Sequence, residues 1–137
     1  MKTLRSNKFY FFFCLFLLTA CAPTYSPYLY DKTSEMKTQS LSLMDKAMEP
    51  YSKYDTKISL LKSDLESLSR QEQLRKNNQP KIKQWNLLLD PEGHLLYGFL
   101  KKWQQDTILN EPFIDLEHKL VGESFELIQE TEKLRLK

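Results

Sequence analysis

The chain has 137 residues, 41% of them hydrophobic and 28% charged, with 20 Lys and Arg against 18 Asp and Glu and a formal net charge of +2. That length supports one core but not comfortably two, and a mixed charge with no basic patch excludes an electrostatically driven nucleic-acid binder. Only three glycines, in a chain rich in Leu, Lys, Glu and Gln, tilt the composition toward helix.

The first element is a short segment of charge followed by grease. Lys2, Arg5 and Lys8 precede an apolar run from Phe9 to Leu18. About ten residues is half of the roughly 20 that a helix needs to cross a bilayer, so the run reads as the apolar region of an export signal. Small residues then lead into Leu18-Thr19-Ala20-Cys21. This order resembles the lipobox of bacterial lipoprotein precursors. The resemblance implies export, cleavage between Ala20 and Cys21, and lipid attachment to the Cys21 thiol, which would leave the protein anchored to a membrane but not spanning it. Ala22, where an Asp would retain a Gram-negative lipoprotein at the inner membrane, implies the outer membrane, facing the periplasm. The expected organisation is a signal at 1–20, a lipid-anchored flexible tether at 21–34 and a helical domain at 35–137.

Loss of residues 1–20 would remove three basic residues and no acids, leaving 17 against 18 and a net charge of about −1. It would also remove Cys14, and lipidation would occupy Cys21. No free thiol would then remain for catalysis, metal binding or a disulfide.

Residues 22–34 read as the tether because Pro23 and Pro27 interrupt regular structure. Tyr25, Tyr28 and Tyr30 suit a headgroup zone, where an apolar ring with a polar tip is comfortable; a linker whose tyrosines do nothing is the plain alternative. From Glu35 to Lys76 the spacing is helical. Leu41, Met44, Met48, Tyr51, Ile58, Leu61, Leu65 and Leu68 form a narrow apolar stripe, with Asp55 standing where an apolar residue would belong. Pro50 predicts either two helices or one kinked helix. The stripe (Met44, Met48, Tyr51, Ile58, Leu61, Leu65, Leu68) is either an interaction face, for an envelope protein or a second copy, or part of the domain's own core. The core reading has the greater weight, since too few regular heptads are present for a coiled coil.

Asn77-Asn78-Gln79-Pro80 signals a turn. Two readings then compete. In one, Asp90 caps a helix carrying Leu95, Phe99 and Trp103 at steps of four, with Pro91 in its first position. In the other, residues 85–99 form a β-hairpin around Asp90-Pro91-Glu92-Gly93, giving an α+β fold. The helical stripe is favoured because it extends to Trp103 while the alternation fails. Asn110-Glu111-Pro112 then starts a last helix carrying Ile114, Val121, Phe125 and Ile128, interrupted by Gly122. The fold expected is all-α: a small bundle of three or four helices with a long N-terminal helix, kinked or broken near Pro50.

Chemistry is sparse. Glu111, Asp115 and His118 share a helical face, but a metal site would want a closed ligand set, and a solvated charged face explains them as well. His94 has no acid or nucleophile beside it in sequence. No nucleophile elbow, zinc-protease motif or phosphate loop is present, so neither catalytic residues nor cofactor are expected. Two functions remain: an anchored interaction or structural module, and a ligand-binding or stress-sensing module with a pocket lined by Trp85, Phe99, Trp103 and Phe125.

Overall fold

The computed structural model describes residues 24–136. Among them are five α-helices: α1 Pro27–Met44, α2 Asp55–Gln73, α3 Gln79–Leu88, α4 Leu96–Asp106 and α5 Glu111–Lys133. Short 3-10 turns cover Tyr51–Lys53 and Leu134–Leu136. No strand occurs among the described residues, so the hairpin at 85–99 is replaced by the end of α3, a turn and the start of α4.

The domain begins earlier than the tether reading placed it. Pro27 opens α1, with Ser26 as its cap accepting the Leu29 N–H at 3.3 Å. Proline is favoured at the first helical position, where its missing N–H costs nothing, so Ser26-Pro27 starts a helix and does not prolong a linker. Leu29, Thr33, Met36, Ser40, Leu43 and Met44 form the buried side of α1. Thr33 and Ser40 dilute that face in the sequence. The Thr33 hydroxyl donates to the Leu29 carbonyl at 2.7 Å, which removes the cost of its burial.

Pro50 separates two helices, as one of the two readings had it; α1 ends at Met44 and α2 begins at Asp55. Asp55 is exposed in the first turn of α2, where a carboxylate is favoured by the helix dipole. The seven-residue stripe is not an available face. Met44, Tyr51, Ile58, Leu61, Leu65 and Leu68 are buried in the core, and only Met48, in the turn after α1, is exposed.

Helices α3 and α4, of ten and eleven residues, together match the 23 residues of α5 and act as one broken leg. The bundle therefore has four legs. Helix α5 packs against α1, α3 and α4, and α2 packs against α1 and α3. Trp85, Leu88, Leu96, Phe99, Trp103, Val121, Phe125 and Ile128 fill the middle. The core runs from Leu29 to Ile128, so the chain from Ala22 onward carries every described element and its packing.

The break in the third leg has a local cause. Asp90 does not cap α4; its Oδ1 accepts the Glu92 N–H at 2.9 Å, and its carbonyl accepts the Gly93 N–H at 3.1 Å. That turn folds back so tightly that a Cβ on Gly98 would stand 1.9 Å from the Gly93 carbonyl oxygen. Gly98 is required for this approach.

At one end of the bundle, loops 45–50 and 107–110 are stitched together. The Leu109 N–H donates to the Ala47 carbonyl at 2.7 Å and the Tyr51 N–H to the Thr107 carbonyl at 2.9 Å. Thr107 pays for this with a φ of 70°, a strained conformation for a β-branched residue.

Candidate functional site

The opposite end gathers the start of α1, the end of α2, the start of α3 and the end of α5 around buried charge. Glu72, Lys81 and Glu132 are almost completely excluded from solvent. The Lys81 ammonium lies between the carboxylates, donating to Glu72 Oε1 and, at 2.7 Å, to Glu132 Oε2. Arg75 donates to Glu72 Oε2 at 3.1 Å and bridges both oxygens of Glu132 at 2.8 and 3.0 Å. Asn78 donates to Glu72, at 2.8 Å to its Oε2 and at 2.6 Å to its backbone carbonyl, while its own Oδ1 accepts from Arg135.

The sequence prepares this cluster by register. Glu72 continues the α2 stripe four residues beyond Leu68, Glu132 continues the α5 stripe four beyond Ile128, and Lys81 stands four before Trp85. Three helices thus turn a charge toward the core at the same end. A lone buried charge would be prohibitive; here each acid has a cation and each cation an acid. Burial by itself would raise the Glu132 carboxyl. Hydrogen bonds from Arg75, Lys81 and the Ser26 N–H outweigh it and bring the pKa down to about 2. Burial pushes the Arg135 guanidinium down, and the neighbouring Arg75 cation adds to this.

The cluster also grips the chain as it enters the bundle. The Ser26 N–H donates to Glu132 Oε1 at 2.7 Å, and Arg75 donates to the Thr24 carbonyl. Cys21, the expected lipidation site, and the Ala20–Cys21 cleavage point lie outside the described residues; only two residues separate Cys21 from Thr24. The donors and acceptors of this network are largely spent on one another and on that entering backbone. The arrangement fixes a chain direction.

The other sequence candidates are dispersed. His118 Nε2 lies 3.4 Å from Asp45 Oδ1 at the end of α1, so its partner comes from another helix and not from Glu111 or Asp115. No group of three His, Cys, Asp or Glu side chains among the described residues is placed to hold a metal ion. His94 is exposed near Glu117, whose carboxyl is raised by burial, with the His94 charge opposing. Trp85, Phe99, Trp103 and Phe125 do not line an open pocket. All four are buried, with Trp85 edge-on to Phe125 at 6.2 Å and Phe99 tilted against Trp103 at 6.4 Å. A groove of about 500 Å³ lies instead between α1 and α2. Leu43, Tyr54, Leu60 and Leu61 line it, with Lys46, Lys57 and Asp64 among its polar groups.

No family model, curated protein or solved structure matches this chain.

Proposed function

We propose that this chain is a lipid-anchored protein of a bacterial envelope whose helical bundle serves as an interaction module held close to the membrane. The observation that supports it most is the clasp on Thr24 and Ser26. An acylated Cys21 would stand three residues before a hydrogen-bonded backbone, so the anchor would hold the bundle near the lipid surface and in a limited range of orientations. The lipobox resemblance supplies the anchor, and Ala22 favours the periplasmic face of the outer membrane. The module would meet an envelope partner through surface leucines such as Leu116 and Leu127 on α5, both more than half exposed.

The test is Cys21→Ser in cells fed an alkyne fatty acid. The wild type should take up the label and sediment with membranes, and the variant should lose both. A variant that partitions and is processed like the wild type overturns the anchor.

The α1–α2 groove favours a second reading, capture of a small amphipathic ligand, with Leu43 and Leu61 giving an apolar wall and Lys46 and Lys57 a cationic rim. Ligand screening of the bundle by thermal shift tests it; a hit should lose its shift in Leu60→Asp, at an exposed position of the groove wall, or in Lys57→Glu.

A further inference from the structure

We propose that the charge-cluster end of the bundle is itself a bilayer-contact surface, in which Leu74, Leu134 and Leu136 enter the boundary between headgroups and acyl chains while Lys76 and Lys133 meet anionic phospholipid headgroups. This rests on the anchored reading above and adds to it a defined docking face.

The three leucines are 87%, 65% and 65% exposed, and no large hydrophobic side chain among the described residues is more exposed than they are. They lie at one end of the molecule. Leu74 follows α2 and precedes Arg75, while Leu134 and Leu136 bracket Arg135, and both arginines belong to the same buried network. A single exposed leucine is ordinary, whereas several at one end of a bundle make a patch. Here the inward positions of all three helices are occupied by charges, and the leucines are turned out.

Three further features distinguish a lipid surface from a protein partner. The segment 72–81 together with 130–136 carries five cations (Arg75, Lys76, Lys81, Lys133, Arg135) against three carboxylates (Glu72, Glu130, Glu132). Lys81, Arg75 and Arg135 are engaged with the buried Glu72 and Glu132, and the exposed charges are Lys76 and Lys133 against Glu130 alone. The end is therefore apolar and cationic together, the combination that binds an anionic interface. Rings with polar tips flank it: Tyr28 is exposed, Tyr25 and Tyr30 pack at 6.4 Å, and Lys133 Nζ lies 5.2 Å from the Tyr30 ring centre. Finally, the chain leaves toward Cys21 from this same end, because Arg75 holds the Thr24 carbonyl. A lipid on Cys21 would draw these leucines, and not the far end with Ile108, toward the bilayer.

The test supplies its own anchor, so that it reads the face independently of native lipidation. The chain from Ala22 onward, with an N-terminal polyhistidine tag, is tethered to phosphatidylglycerol–phosphatidylcholine vesicles containing a nickel-chelating lipid. It contains no cysteine, so single cysteines at Leu74, Leu134, Leu136 and Ile108 can each carry an environment-sensitive fluorophore. Labels at 74, 134 and 136 should shift to the blue, brighten and be quenched by nitroxide lipids, while the label at 108 stays as in water. The shift should shrink in vesicles of phosphatidylcholine and nickel lipid alone. Labels at 74, 134 and 136 that behave like the label at 108 overturn the proposal. So does a dimer in sedimentation that buries the same labels without lipid, since the face would then belong to a second copy. Failure of the Cys21→Ser experiment with success here would remove the native anchor and leave the surface standing.

Discussion

Lys81→Met probes the buried network most sharply. Methionine keeps the length and most of the volume of the lysine stem, so little packing is lost. What disappears is the ammonium between Glu72 and Glu132, whose side chains are 0% and 1% exposed. Removing one member of a buried ion pair ordinarily costs about 3–5 kcal/mol, because the remaining charge is left without compensation. Arg75 still bridges both acids, which places the expected loss near the lower limit, about 3 kcal/mol. For a domain of this size that corresponds to a fall of roughly 12 °C in melting temperature. The assay is urea unfolding of the chain from Ala22 onward, followed by far-ultraviolet circular dichroism. Adding Glu72→Gln to Lys81→Met should recover at least about 1 kcal/mol, since it removes the acid left uncompensated. A loss below about 1 kcal/mol for Lys81→Met, or strict additivity in the double variant, would refute the reasoning.

Three further outcomes are expected. The Glu132 carboxyl is held below its unfolded value, so its stabilisation is fully present above about pH 4.5 and is lost as pH falls toward 2; Glu117, raised by burial, acts oppositely and makes stability climb as pH drops from neutral through its own titration. Thermal melts across pH should therefore rise slightly and then fall, with Glu132→Gln removing the acid limb and Glu117→Gln removing the rise. The glycines should respond with opposite signs: Gly98→Ala drives a Cβ into the Gly93 carbonyl and should cost about 2–3 kcal/mol, whereas Gly122→Ala meets only Leu41 Cδ1 at 3.7 Å and should stabilise α5 by about 1 kcal/mol. Thr107→Gly should relieve the positive φ and raise stability by about 1 kcal/mol, as read by the urea midpoint.

The all-helical fold was legible because Ile58, Leu61, Leu65 and Leu68, and later Val121, Phe125 and Ile128, repeat with the period of one buried helical face. Asn110 was legible as a cap for α5, and its Oδ1 does accept the Phe113 N–H at 3.0 Å. The start of α1 is obscured because Thr33 and Ser40 occupy inward positions that period alone would give to hydrophobic residues, and because a proline opens a helix at its first position as readily as it breaks one further in. The helix expected from Asp90 starts instead at Leu96, since the Asp90 side chain closes a local turn that a single sequence cannot separate from a cap. The charge cluster left a usable signal: three stripes continue into Glu72, Lys81 and Glu132. What the pattern could not supply is that these three continuations meet, which depends on the legs running antiparallel. The 44–68 stripe shows the converse limit, because a face that packs inside the bundle has the same periodicity as one that waits for a partner.

The most direct test of the account is mass spectrometry of the protein's N-terminus after purification from the envelope of the cell that makes it. The expected result is a mature chain beginning at Cys21 and carrying thioether-linked diacylglycerol, with residues 1–20 absent. An unmodified Cys21, or a chain that retains residues 1–20, would contradict it.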